Sequence, residues 1–200
     1  MENFIYLASQ SPRRRQLLEQ LGVRYELLLP DADEDAEALE AVLKNEAPAS
    51  YVMRVTALKL DAAAARLDRR KLPPAPVLCA DTTVSMKRVI YGKPENDKDA
   101  VRMLLQLSGA THRVLTAVAV QSGSQRFQAL STSRVRFDVM TAAHIRSYVA
   151  TGEPIGKAGA YAIQGAVAQH VSHISGSYSG IMGLPLRETA LLLQSAGIHI

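Results

Sequence analysis

The sequence predicts a mixed α/β fold in which a twisted sheet is flanked by helices. Segments rich in β-formers alternate with segments whose apolar residues recur at helical spacing. Two β-rich runs joined by Ser122-Gly123-Ser124 predict a hairpin, and therefore an antiparallel part of the sheet. The 200 residues, 48% of them hydrophobic, suffice for one buried core, so we expect a single domain over residues 1–200.

The predicted elements begin with a strand over residues 4–8, followed by a helix with Ser11 as N-cap and Pro12 as its first residue. A second strand is expected over 25–29. The later predictions are a helix over 49–67, a strand over 77–84, a helix from Asn96 or Asp97 to Ser108, strands over 113–121 and 131–139, a helix from Thr141 to Ala150, and a last helix from Pro185 to Ser195.

Two segments carry more detailed expectations. The helix over 49–67 is predicted to bury one stripe of its surface, with Lys59 at the border of the stripe. The members of the stripe are Tyr51, Val55, Leu58 and Ala62. The glycine-rich stretch from Gly152 to Gly183 is expected to carry short strands.

The charge distribution indicates anionic partners. The net charge is +4, but the basic residues cluster around Arg13–Arg15 and Arg66–Lys71, while Asp31–Glu37 is an acidic run. Separate patches favour a phosphate-plus-metal site over a nucleic-acid groove, which needs continuous basic surface and stacking aromatics. Only 5% of the residues are aromatic. We therefore expect no nucleic-acid partner.

The sequence also indicates a cytoplasmic protein without a membrane partner. It shows neither a signal-peptide pattern at its start nor a stretch near the roughly 18 uncharged residues of a spanning helix. The single cysteine, Cys79, cannot form an internal disulfide, which agrees with a reducing compartment. We expect it to be a small apolar strand residue.

Several familiar catalytic motifs are incomplete. Gly152-x-x-x-Gly156-Lys157 is one residue short of a P-loop, and Gly176–Gly180 has tyrosine where a nucleophile elbow has serine. The five histidines lack zinc-site spacing, and His112 is expected to be a structural hydrogen-bonding residue. The sequence therefore disfavours a P-loop, a serine nucleophile of the elbow type and a zinc site.

The segment Ser9-Gln10-Ser11-Pro12-Arg13-Arg14 predicts an anion site. A strand that turns directly into a helix N-terminus presents free N–H groups and the positive end of the helix dipole. Cations at that end oppose the dipole unless an anion lies between them. The alternative is that Arg13 and Arg14 are merely exposed to water.

Asp81 lies in an apolar strand, where a carboxylate is desolvated unless it is paired. Such a residue commonly binds metal or moves a proton. Together with Asp33 and Glu34 of the acidic run, it could supply the oxygen ligands that magnesium prefers. The alternatives are a structural carboxylate capped by a neighbouring threonine, and a solvated acidic loop.

Three isolated lysines complete the candidate cations. Lys93 lies in the turn Tyr91-Gly92-Lys93-Pro94, Lys157 lies among glycines, and Lys59 lies on the long helix. Each alone is typical of a surface lysine, but together they favour a polyphosphate site.

At these segments the sequence resembles the Maf family of nucleotide pyrophosphatases. Leu7–Arg14 is similar to the opening L-A-S-x-S-P-R-R of that family, and Ala80-Asp81-Thr82 with Gly92-Lys93-Pro94 is similar to its central motifs. Further matching segments follow in order: Leu107-Ser108-Gly109 with His112, Gly152-Glu153-Pro154, Lys157–Tyr161, Ile163-Gln164-Gly165, Gly176-Ser177-Tyr178 and Gly183–Leu186.

The resemblance implies a fold similar to inosine triphosphate pyrophosphatases, with two lobes around a cleft, and hydrolysis between the α- and β-phosphates. Asp81 takes the position of the proton acceptor. Arg13, Thr82 and Gln164 match positions associated with substrate preference. The segment from Lys157 to Gly165 is like that of the branch that favours dTTP and UTP. Two departures, Gly156 for aspartate and Ala162 for glycine, bear on base preference.

The combined hypothesis is a hydrolase that splits a nucleoside triphosphate with Mg²⁺ or Mn²⁺. Asp81 is the predicted catalytic residue, with Glu34 as its companion metal ligand. The predicted substrate-binding residues are Ser11, Arg13, Arg14, Lys59, Thr82, Lys93 and Gln164. The alternative is a non-catalytic nucleotide-binding regulator of cell division or septum formation. A homodimer is left open.

Overall fold

The computed structural model describes residues 4–32, 34 and 38–200, so Asp33 lies outside the described residues. Within these residues the chain forms a sheet of seven strands. The strands are β1 (Phe4–Leu7), β2 (Arg24–Leu27), β3 (Val77–Met86), β4 (Val89–Tyr91), β5 (Thr111–Ser122), β6 (Gln125–Phe137) and β7 (Val171–Ser175). The helices are α1 (Pro12–Gln20), α2 (Pro48–Arg69), α3 (Asp97–Leu107), α4 (Ala142–Val149), α5 (Tyr178–Met182) and α6 (Leu186–Ser195).

The sheet is mixed, as predicted. Its order is β2-β1-β3-β5-β6-β7, and β4 pairs separately with β3. β1 runs parallel to β2 and β3, whereas β3, β5, β6 and β7 pair antiparallel. The predicted hairpin is confirmed as β5–β6, which pair from Ser122↔Gln125 to Thr111↔Arg136.

Alternating side chains of the central strands bury the two faces of the sheet against different helices. Leu78 of β3 and Val118 of β5 pack with residues of α1 and α6. Their neighbours Cys79 and Ala119 face the other way and pack with α2. Successive strand residues point to opposite faces, so neighbouring residues of β3 can reach different surroundings.

The edge of β3 is paired in two separate pieces. β1 pairs with β3 only as far as Leu78, and β4 pairs with it only from Val84 onward. Between these points no described strand lies beside β3 on that edge, because the chain leaves β1 at Ala8 and turns into α1. The middle of β3, which contains Asp81, therefore borders an open space.

Two of the predicted helix starts are confirmed by their caps. The side chains of Asn96 and Thr141 accept hydrogen bonds from the amides of Asp99 and His144 at the starts of α3 and α4. Ser11 precedes α1 as predicted, but its side chain makes no capping hydrogen bond.

Two sequence expectations were wrong. Leu58 and Ala62 of α2 are only partly buried, and Ala62 lines the open space beside β3. The glycine-rich stretch contains the single strand β7 instead of several, since much of the chain forms short helices over Ala158–Ala160, Ala166–His170 and α5.

Gly159 provides a test of how tightly this stretch packs on β3. A methyl group on Gly159, whose φ is +69°, would lie 2.9–3.0 Å from the side chain of Val84, whereas one on Gly156, at +73°, would meet nothing within 4 Å. Both alanines suffer the strain of positive φ, but only Gly159→Ala adds overpacking. We expect Gly159→Ala to lower the free energy of unfolding by about 1–3 kcal/mol more than Gly156→Ala in urea titrations. Equal losses would contradict this packing.

Candidate functional site

A cavity of about 1020 Å³ occupies the open edge of β3. This volume is at the upper end of the range typical of ligand sites. All the residues predicted for the site line it, namely Ser11, Arg13, Arg14, Glu34, Lys59, Asp81, Thr82, Lys93 and Gln164. They come from β1–α1, the acidic loop, α2, β3, the turn after β4 and the segment before β7. The fold therefore brings residues far apart in sequence to one concave surface.

Arg13 and Arg14 are anchored by backbone carbonyls at the end of α5. The Nε of Arg14 donates to the carbonyl of Gly183 at 2.8 Å, and the Nε of Arg13 donates to that of Met182 at 3.4 Å. The Nη1 of Arg14 also donates to Ser9 Oγ at 3.1 Å. The carbonyls at a helix C-terminus carry partial negative charge, which offsets the unfavourable position of two cations in the first turn of α1.

No carboxylate of the described residues pairs with either guanidinium. Burial lowers the pKa of Arg14, while Asp81 opposes that shift and Arg13 adds to it. Burial likewise lowers the pKa of Arg13. Two partly desolvated cations without a carboxylate partner favour binding of an anion.

Asp81 lies at one end of a short chain of alternating charges. Its Oδ1 accepts from Lys59 Nζ at 2.5 Å, and the same ammonium donates to Glu40 Oε1 at 2.7 Å. Glu40 Oε2 is also 3.0 Å from Lys93 Nζ. Asp81 Oδ2 accepts no hydrogen bond from any residue in the described ranges. One carboxylate oxygen thus fixes the side chain and the other remains available to a ligand or water.

Glu40 was missed by the sequence analysis. Burial alone would raise its pKa, but Lys59 and Lys93 bring the pKa below its ordinary value. The Tyr51 hydroxyl donates to the Glu40 carbonyl at 3.0 Å and holds this residue beside the cavity. Nothing local in the sequence marks Glu40, because its partners are 19 and 53 positions away.

Glu34 lines the cavity, but Arg66 and Arg69 bind its carboxylate. Arg66 is buried in α2 and donates Nε to Oε1 at 3.0 Å and Nη2 to Oε2 at 2.5 Å. Arg69 Nη2 donates to Oε1 at 2.6 Å. The hydrogen bonds from Arg66 contribute most to lowering the pKa of Glu34 to about 2. Oε2 has a single described donor, so it retains capacity for one further contact.

Thr82 points away from Asp81, as neighbours on a strand do. Its hydroxyl lies 2.9 Å from that of Thr116, which in turn donates to the carbonyl of Gly180 at 2.7 Å. Thr82 therefore donates to Thr116 and keeps its own oxygen free to accept. Gln164, exposed on the far wall, and Lys157 complete the surface. Burial lowers the pKa of Lys157, and the charge of Arg13 lowers it further.

The chain is similar to known proteins over nearly its whole length. The family described as Maf-like protein matches residues 4–196. A dTTP/UTP pyrophosphatase of Polaromonas sp. is 70% identical over 198 residues, which are 99% of this chain and 98% of that protein. The dTTP/UTP pyrophosphatases of Albidiferax ferrireducens and Cupriavidus metallidurans are 67% and 61% identical, each over 100% of both chains.

The chain belongs to the Maf-like protein family. The resemblance inferred from the sequence motifs is confirmed. Among solved structures, the Staphylococcus aureus Ham1 protein aligns with a TM-score of 0.40 and 14% identity, over 66% of this chain and 71% of that chain. No helix in the described ranges of this Maf-like protein is both long and apolar enough to cross a membrane.

His112 has the structural role expected of it. It is buried on β5, and its Nε2 lies 2.8 Å from the hydroxyl of Tyr161, whose ring packs edge-on against those of His112 and Phe137. Burial lowers the pKa of His112 to about 4. The imidazole is therefore neutral at pH 7 and supports the cavity wall through Tyr161.

This lowered pKa makes the stability of the Maf-like protein depend on pH. The unfolded chain binds a proton at His112 below about pH 6.5, whereas the folded chain does so only near pH 4. The free energy of unfolding should therefore fall by about 3 kcal/mol from this residue as pH decreases from 7 to 4. Denaturant titrations of wild type and His112→Phe measure the difference, and identical pH slopes would contradict a neutral buried imidazole.

Proposed function

We propose that this Maf-like protein hydrolyses nucleoside triphosphates between the α- and β-phosphates, releasing the monophosphate and pyrophosphate, with dTTP and UTP as its substrates. The names of its relatives support this substrate class, since they match over the full chain. The observation that carries the proposal is the convergence, in one cavity, of Asp81 with arginines and lysines suited to a polyphosphate.

The cations divide into two groups with different tasks. Arg13 and Arg14 are fixed through their Nε atoms, so their remaining N–H groups can bind phosphate oxygens without reorganisation. Lys59 and Lys93 are both paired with Glu40 and line the cavity, so they add positive charge for the triphosphate while Lys59 stays bound to Asp81. Hydrolysis of a phosphoanhydride requires mainly positioning and stabilisation of negative charge, which this arrangement supplies.

Asp81 is the base in this scheme. Lys59 holds Oδ1, which orients the carboxylate, and Oδ2 can accept a proton from the attacking water. The water attacks the α-phosphorus, and the bond to the bridging oxygen breaks so that pyrophosphate leaves with the electron pair. No side-chain nucleophile is needed.

In this proposal Gln164 and Thr82 recognise the nucleoside. A glutamine amide offers both a donor and an acceptor, which match the N3–H and O4 of thymine or uracil. The free oxygen of Thr82 offers a further acceptor on the opposite wall.

A divalent metal is part of the proposal. In the described part of the chain, no three His, Cys, Asp or Glu side chains are grouped to hold an ion. Magnesium, however, often binds through one or two carboxylates together with substrate phosphates, and Asp81 Oδ2 and Glu34 Oε2 both have free capacity beside the cavity. When bound, such a metal would neutralise phosphate charge and polarise the reacting phosphorus.

Asp81→Asn tests the catalytic assignment. The amide cannot accept the proton of water at neutral pH, so pyrophosphate release from dTTP should fall by a factor of about 10³ or more. Asp61→Asn is the matched control, because Asp61 is an exposed carboxylate of α2 that pairs with Arg126 outside the cavity. Circular dichroism should show both variants folded. Full turnover by Asp81→Asn would refute its role.

Removal of metal tests the second part of the proposal. Chelation with EDTA should abolish pyrophosphate release, and added Mg²⁺ or Mn²⁺ should restore it. In Glu34→Gln the metal concentration needed for half-maximal activity should rise about tenfold, because one oxygen ligand loses its charge. An unchanged metal concentration for half-maximal activity would show that Glu34 is not a metal ligand. Full activity in EDTA would show that hydrolysis does not depend on a metal.

The same assay separates the enzyme from the alternative of a non-catalytic nucleotide-binding regulator of cell division. Such a regulator would bind dTTP or UTP, as measured by calorimetry, without releasing pyrophosphate. Turnover that depends on Asp81 excludes it.

A further inference from the structure

The segment Tyr161–Ala166 carries Gln164 to the cavity without the support of a sheet. It lies between two short 3-10 helices, and its own backbone supplies one turn, with the amide of Gly165 donating to the carbonyl of Ala162 at 2.9 Å. A side chain on such a loop reads a base reproducibly only when the loop is fixed by its surroundings.

Two side chains from outside the loop bind amides on either side of Gln164. The amide of Ala162 donates to the hydroxyl of Tyr148 at 3.3 Å, and the amide of Ala166 donates to Glu153 Oε2 at 3.3 Å. The Tyr148 hydroxyl itself donates to Glu153 Oε1 at 2.6 Å. The loop is thus closed by a continuous chain of hydrogen bonds, and we call Tyr148 and Glu153 the loop clamp.

The carboxylate of Glu153 lies directly against Gly165. A methyl group on Gly165 would lie 1.9 Å from Glu153 Oε1 and 2.4 Å from its carboxyl carbon, so a side chain there would have to displace the carboxylate. The backbone of Gly165, at φ −93°, is extended and open to any residue. The loop and Glu153 therefore fit each other closely beside Gln164.

The clamp also has a defined hydrogen-bond direction. Burial and the hydrogen bond to Glu153 raise the pKa of Tyr148, so its hydroxyl stays protonated. It must then donate to the carboxylate and accept from Ala162, and neither role can be reversed while Glu153 is ionised. Neither Tyr148 nor Glu153 lines the cavity, so both act through the loop and not by contact with a ligand.

We propose that Glu153, together with Tyr148, is a positioning residue for base recognition, which holds Gln164 in the orientation that selects thymine or uracil over cytosine. The inference rests on the proposed function. Cytosine is of similar size but presents an amino donor where uracil presents an acceptor. A glutamine amide that can turn over could exchange its donor and acceptor and hydrogen-bond to either base. A fixed loop restricts the positions and orientations that the Gln164 amide can take beside the base.

Two variants with one matched control test this inference. Tyr148→Phe removes the central hydroxyl, and Glu153→Ala removes the carboxylate. Tyr25→Phe is the control, because the Tyr25 hydroxyl makes the same kind of bond to Glu19 Oε1, at 2.9 Å, outside the cavity. Glu153→Gln is the conservative variant, since it keeps the size of the side chain and an acceptor oxygen.

The measurement is kcat/KM for UTP and CTP in each variant, by pyrophosphate release. We expect the UTP/CTP ratio to fall about tenfold in Tyr148→Phe and Glu153→Ala, mainly through KM for UTP, less in Glu153→Gln and not at all in Tyr25→Phe. Amide hydrogen exchange at Ala162 and Ala166 should accelerate in the first two variants. The charge of Glu153 also acts on Arg13 and Lys157, and Tyr148→Phe keeps that charge, so a lower ratio in Tyr148→Phe reports the clamp itself.

An unchanged UTP/CTP ratio in Tyr148→Phe and Glu153→Ala would overturn the inference, even if both melt at lower temperature, because that is the result of a merely structural role. Failure of the proposed function is a different result: wild-type protein would then release no pyrophosphate from any triphosphate, and the inference would fall with it.

Discussion

The interrupted edge of β3 is the constraint on which the site depends. An exposed strand edge leaves backbone groups without partners, and most sheets close such an edge with another strand. Here β1 covers one end and β4 the other, and the chain between Leu78 and Val84 borders a cavity. Because successive side chains of β3 face opposite sides of the sheet, Asp81 meets Lys59 on α2 while Thr82 meets Thr116 below α5.

The charges around this edge are held in two different ways. The arginines of α1 are anchored on carbonyls at the end of α5, so their charge is not cancelled by a carboxylate of the described residues. The lysines are paired with Glu40 and Asp81, so carboxylates already balance part of their charge. The two pairs of cations therefore differ in how much of their charge is available to an anion.

The two sides of the site differ in how rigidly they are built. The side that carries Arg13, Arg14, Lys59 and Asp81 uses residues of regular helices and a strand, whose positions follow from backbone hydrogen bonds. The opposite side uses the irregular loop of Gln164, whose order comes from individual side chains such as Tyr161 with His112 and Tyr148 with Glu153. Irregular backbone needs such partners because buried amides without them are costly.

The sequence by itself determined most of the longer helices and strands and the nine predicted site residues that line the cavity. Helical periodicity, N-caps such as Asn96, and misplaced charges such as Arg13 and Asp81 are local signals, since they depend on neighbours within a few positions. Only the tertiary structure decided which charges meet. Glu40 pairs with Lys59 and Lys93, and Glu34 pairs with Arg66, although the partners are 19 to 53 residues apart in sequence. Such pairs depend on how helices pack on the sheet, and no local pattern of the chain encodes that packing.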